Sequence, residues 1–82
     1  MKIYEVCSPL PGIFYRQPTP ESPVFIEENS PVMASSIIGL IEVMKQFSEI
    51  YAEQAGELLS FCVNNGDALE PGQVIAIIKI DE

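Results

Sequence analysis

Ile37-Ile38-Gly39-Leu40-Ile41-Glu42-Val43-Met44-Lys45-Gln46-Phe47-Ser48-Glu49-Ile50-Tyr51-Ala52 is the stretch on which the fold turns. It admits a helical reading, because Glu, Met, Lys, Gln and Ala are all good helix formers. Gly39 and the β-branched isoleucines favour two strands instead, Ile37 to Val43 and Phe47 to Ala52. Lys45 then lies between two β-type apolar runs, on a tight hairpin. It is one of only four basic residues in the chain. A lysine set apart in this way in an apolar, acidic chain is a candidate for covalent modification.

Outward from the hairpin the same pattern of short strands and turns continues. Ile3 to Ser8 reads as a strand that stops at Pro9 and Pro11, and Gly12 to Arg16 reads as a second. Gln17-Pro18-Thr19-Pro20-Glu21-Ser22-Pro23 carries three prolines, which remove ladder donors and exclude a helix, so it is a stiff loop. Val24 to Glu27 is a brief strand, followed by turn residues around Asn29-Ser30-Pro31. Leu58 to Val63 is a strand ending in the turn signal Asn64-Asn65-Gly66-Asp67. Pro71-Gly72 marks another turn before the apolar strand Val74 to Ile80. Regular short strands with this punctuation predict a small all-β sandwich or barrel.

A weak internal repeat accompanies the strands. Sliding the chain by 36 positions lays Phe25 on Phe61, Asn29 on Asn65 and Ile41 on Ile77, while Gly12 matches Gly56 at a spacing of 44. The difference implies an insertion of eight residues in the first half, at approximately Gln17 to Val24. Lys45 falls at the junction of the two halves, an exposed place to mount a group.

Composition limits the function classes. With 82 residues there is room for one domain, residues 1–82, and a small core. A net charge of −8 argues against nucleic acid and against anionic membrane surfaces, and suggests protein partners with basic patches. No stretch approaches the length of a membrane span and the N-terminus lacks a signal-peptide core, so a cytoplasmic protein is expected. Cys7 and Cys62 make no CxxC pair, and there is no histidine. A metal site and a Ser-His-Asp or Cys-His nucleophile system therefore have no basis. Free thiols are expected for both cysteines, with one disulfide left open. The adjacent carboxylates Glu27 and Glu28 point to opposite faces of an extended chain and read as solvated. The chain is not expected to be an enzyme on its own.

The segments Ser8-Pro9-Leu10-Pro11-Gly12-Ile13-Phe14-Tyr15-Arg16, Pro18-Thr19-Pro20, Phe25-Ile26-Glu27, Glu42-Val43-Met44-Lys45, Glu49-Ile50, Ala52-Glu53 and Gly56 resemble the biotinyl/lipoyl attachment domains. Within that family the similarity is to the biotin carboxyl carrier branch of acetyl-CoA carboxylase, from about Ser8 to Ile80. The attachment signature there is Glu-(Ala or Val)-Met-Lys, most often followed by Met, where this chain has Gln46.

The resemblance implies a flattened β-barrel of two four-stranded antiparallel sheets with quasi-twofold symmetry. It implies biotin in amide linkage to Lys45, with Glu42, Val43 and Met44 completing the attachment motif. The proline loop at about 17–24 falls where that branch has a thumb, so Thr19, Pro20 and Glu21 at its tip are candidates for contact with the biotin ring. The implied partners are a biotin protein ligase, a biotin carboxylase and a carboxyltransferase, between which carboxylate would be carried for fatty acid biosynthesis. The alternatives are a carrier of another biotin-dependent carboxylase, a lipoyl carrier, and an unmodified barrel acting as an assembly module. A lipoyl carrier typically has an acidic residue before its lysine and alanine after it, where this chain has Met44 and Gln46.

Overall fold

The computed structural model describes residues 2–81, which form eight strands. They are β1 (Ile3–Cys7), β2 (Gly12–Tyr15), β3 (Ser30–Val32), β4 (Ile37–Val43), β5 (Gln46–Tyr51), β6 (Gly56–Phe61), β7 (Ala68–Leu69) and β8 (Val74–Ile80). One four-stranded sheet has the order β1-β8-β6-β3 and the other β5-β4-β2-β7, all pairs antiparallel. The body is flattened, 38 × 27 × 19 Å. Among the described residues no helix is long and apolar enough to cross a membrane.

Alternation of side chains along each strand sends one set inward and the other to solvent. The inward set is Val6, Phe14, Ile38, Ile41, Leu58, Ile75 and Ile78, all at most 2% exposed. Their removal from water is the main favourable term for a chain this small. Among the described residues Ser8 is the one buried polar residue; its hydroxyl donates to the Leu10 carbonyl and its amide to that of Gln73, so burial leaves neither unpaired.

The two sheets are related by an internal quasi-twofold that swaps β1 with β5, β2 with β6, β3 with β7 and β4 with β8. The ladders set its register. Gly12 pairs with Leu69 as Gly56 pairs with Val32. The amide of Asn29 donates to the Leu58 carbonyl as that of Gly66 donates to Phe14. The β1–β8 bulge at Val6/Cys7 has its counterpart in the β4–β5 bulge at Ile37/Gly39. These equivalences place the later strands at an offset of 37, not the 36 read from the sequence. Ile41 then matches Ile78, and both are buried, whereas the offset of 36 would set it on half-buried Ile77. A slip of one residue exchanges the two faces of a strand, so the buried positions decide the matter. The 44-residue match of Gly12 to Gly56 stands, and the extra loop of the first half comes to seven residues.

Two segments differ from the sequence reading. Val24 to Glu27 is not a strand: the Phe25 amide donates to the Arg16 carbonyl, and the Arg16 guanidinium takes the Ile26 carbonyl. These isolated bonds replace a ladder. The strand lies at β3 instead, where turn residues were read, because an edge strand tolerates Pro31. Strand β7, two residues long, was not anticipated. The sequence placed β6 two residues late, at Leu58 to Val63, whereas β8 matches its predicted limits. Asn29 and Gly66, quasi-equivalent, both have positive φ (68° and 90°), a conformation asparagine tolerates.

Candidate functional site

Strands β4 and β5 form a hairpin whose last paired residues are Val43 and Gln46. Met44 and Lys45 alone make the turn, with φ of 52° and 66°. Positive φ at both central residues defines the turn type whose twist matches that of the flanking strands. Asn and Gly ordinarily occupy it; Met and Lys are there at a cost of about 1–2 kcal/mol each. Both side chains stand in solvent, Met44 at 91% exposure.

Behind the tip, Val43 is half-buried against the core. Glu42 lies on the outer face of its sheet, where the Tyr15 hydroxyl donates to Oε1 at 3.0 Å. That bond to a carboxylate raises the Tyr15 pKa above its ordinary 10.0. Gln46, after the lysine, is exposed and borders a shallow groove with Leu10, Val43, Met44 and Ser48. Gly12 is required beneath this strand, because a Cβ there would lie 2.5 Å from the Glu42 carbonyl oxygen.

The proline loop, residues 16–29 between β2 and β3, is braced internally. Gln17 Nε2 donates to the carbonyls of Thr19 and Pro20 at 3.0 and 2.9 Å, and the hydroxyls of Thr19 and Ser22 are 2.7 Å apart. Its root is Arg16. The Arg16 amide donates to Asn65 Oδ1 at 2.8 Å, and its guanidinium stacks over the Phe61 ring at 4.3 Å. Arg16 Nε is buried with no hydrogen-bond partner, so aromatic stacking is what holds that edge.

Between this loop and β5 lies a cavity of 320 Å³. Pro18, Thr19 and Pro20 form one wall; Tyr15 and Phe47, with ring centroids 6.0 Å apart, form another. The structure thus brings Thr19 and Pro20 to a cavity whose far wall, Phe47, is two residues along the strand from Lys45. Glu21 is exposed and does not line it. Tyr15, Phe47, Gln17 and Asn65 were not singled out from sequence. The signal for Phe47 was its place opposite Glu42 on the strand, which sets it on the outer face. Cys7, on β1, and Cys62, just past the end of β6, carry free, exposed thiols, and neither is in the turn at Lys45.

The structure is thus a two-sheet antiparallel sandwich with an exposed lysine on the turn that joins its halves. Residues 4–78 match the family model described as "Biotin-requiring enzyme", and the chain belongs to this biotin/lipoyl family. It is 38% identical over 80 residues to the biotin carboxyl carrier protein of acetyl-CoA carboxylase from Nostoc sp., covering 98% of this chain and 44% of that protein. The protein of the same description from Haemophilus influenzae is 34% identical, with 90% of this chain and 48% of that protein covered. The chain therefore spans about half the length of these relatives. Among solved structures, the Kluyveromyces lactis urea carboxylase superposes with a TM-score of 0.78 at 23% identity, over 96% of this chain and 6% of that one. A single-chain, multi-domain long-chain acyl-CoA carboxylase gives 0.80 at 15% identity, over 98% and 7%. At these identities the two structures speak for the fold.

Proposed function

We propose that this chain is a cytoplasmic biotin carboxyl carrier domain with Lys45 as its attachment site, serving an acetyl-CoA carboxylase in fatty acid biosynthesis. The observation that carries the reading is the position of Lys45 in an exposed two-residue turn, two residues before Phe47, which lines an aromatic-walled cavity. The names of the relatives support biotin as the group. The residues present fit it: the amine is exposed, and a cavity of this size suits a bicyclic ring.

Biotin, when bound, supplies a ureido nitrogen that takes up carboxylate at a biotin carboxylase, where ATP and bicarbonate are consumed, and yields it at a carboxyltransferase. Everything else is tethering and positioning by this chain. Acylation of Lys45 turns its ammonium into an amide and removes a charge, so the extended side chain becomes a neutral arm. Tethering raises the local concentration of its end at both enzymes. Met44, almost fully exposed, offers an adaptable apolar contact for a biotin protein ligase, and Glu42 and Val43 fix the strand that presents it. Thr19 and Pro20, with Phe47 and Tyr15 opposite, wall the space into which the ring of the arm can fold, and Glu21 takes no part in that wall.

The test is transfer. The chain is biotinylated with purified ligase and offered to biotin carboxylase with ATP and radiolabelled bicarbonate, then passed to carboxyltransferase with acetyl-CoA. The reading predicts label on the chain, moved to the acyl-CoA, and none with Lys45→Arg. Label that never reaches the chain, or persists in Lys45→Arg, contradicts it.

A further inference from the structure

We infer that the outward face of β5, β4 and β2 is the surface on which the carrier docks to its biotin carboxylase, through arginines of that partner. The inference deepens the carrier reading and rests on it. Side-chain alternation sets Tyr15, Leu40, Glu42, Phe47, Glu49 and Tyr51 on this one face. Phe47 and Tyr51 are 57% and 43% exposed, although both are large rings on an edge strand with no neighbouring strand beyond it. Large exposed aromatics in a row are what interface centres are made of.

The charge on the face determines what fits it. The Tyr15 hydroxyl donates to Glu42 Oε1 at 3.0 Å, and the Tyr51 hydroxyl to Glu49 Oε1 at 2.8 Å. Each carboxylate is held through one oxygen and keeps the other for an incoming donor. Because these side chains are already oriented, less rotamer freedom is lost on binding. Among the described residues no cationic side chain opposes them: Lys2 and Lys79 belong to the other sheet's side, the Arg16 guanidinium is stacked over Phe61, and Lys45 is in the turn. A guanidinium is the group that both stacks on aromatic rings and pairs with oriented carboxylates. A lysine ammonium meets only half of that description.

The choice of partner follows from where negative charge lies at each reaction centre. At the carboxylase, ATP phosphates and bicarbonate react at the very place the arm must reach, so that active-site mouth is cationic. At the transferase, the charged nucleotide end of coenzyme A is remote from the reacting acyl carbon. The face begins at Phe47, beside the arm, so docking here points Lys45 into the cationic mouth.

The experiment is a titration of the isotopically labelled 82-residue chain with purified biotin carboxylase at low salt, read by amide resonance broadening. Broadening is expected over residues 40–42 and 47–51, and the affinity should fall about threefold in Glu49→Gln and again in Tyr51→Ala. Added salt should weaken the wild type more than Glu49→Gln. Both variants change exposed side chains, and their spectra report folding directly. No binding, broadening centred on β1, β8 and β6, unchanged affinity in both variants, or docking on this face by the carboxyltransferase alone overturns the inference. Ligase treatment of the same samples, read by intact mass, bears on Lys45 separately: a modified Lys45 with no docking on this face counts against the face only, and docking with an unmodified Lys45 against the attachment reading only.

Discussion

Val43 and Gln46 face one another as the last pair of the β4–β5 ladder, so Met44 and Lys45 must complete the turn with both φ positive. Neither residue is suited to that conformation. Met44→Asn should therefore raise stability by about 0.5–1 kcal/mol, and the β-branched Met44→Val should lower it by about 1 kcal/mol. Urea unfolding followed by near-ultraviolet dichroism measures both. A stabilising Met44→Val would show that the turn is not strained as described.

Gly39 is the quasi-equivalent of Ala76, yet only Gly39 lacks room for a methyl group. A Cβ there would lie 2.6 Å from Phe14 Cε1 and 2.8 Å from the Tyr15 carbonyl oxygen. The counterpart of Phe14 in the other half is the smaller Leu58. Gly39→Ala should cost about 2–3 kcal/mol, and adding Phe14→Leu should recover about 1 kcal/mol of it. A double-mutant cycle in urea gives the coupling; strict additivity of the two changes would refute the packing argument.

The proline loop depends on Arg16 more than on its own prolines. Removing the guanidinium in Arg16→Met takes away the stack on Phe61 and the bond to the Ile26 carbonyl. The expected loss is about 1–2 kcal/mol. Hydrogen exchange should quicken at the Phe25 amide, which closes the loop on the Arg16 carbonyl, and stay unchanged in β4 and β8. Equal acceleration throughout would mean global unfolding instead.

Tyr4, Tyr15 and Tyr51 are the only tyrosines, and each donates to a glutamate: Glu53, Glu42 and Glu49 respectively. The hydrogen bond to the carboxylate is the main cause that raises each pKa above 10.0. The folded state therefore holds these protons more tightly than the unfolded state does. Their contribution to stability is fully present below pH 10 and disappears as pH rises through the raised values. Tyrosinate absorbance should show all three ionising above their ordinary value when folded and at it in concentrated urea. Glu49→Gln should return one of the three toward 10.

Much of the architecture was legible because β4 and β8 are apolar runs rich in β-branched residues, and because turn residues mark the ends of strands. The hairpin at Lys45 was legible for the same reason. The repeat was misread by one residue because the matches Asn29 with Asn65 and Ile41 with Ile77 are identities without structural equivalence. Only hydrogen-bond register, which no side chain states, separates an offset of 36 from 37. Strand β3 was hidden by Pro31, whose tolerance depends on being at a sheet edge. The walls contributed by Tyr15 and Phe47 depend on two strands meeting across β4, a long-range pairing that local pattern does not encode.

The intact mass of the protein purified from its native host, and of the same chain exposed to biotin protein ligase, tests the central claim most directly. The account predicts one biotinyl group, located at Lys45 by peptide mapping and absent from Lys45→Arg. A lipoyl adduct, or an unmodified chain in both samples, would contradict it.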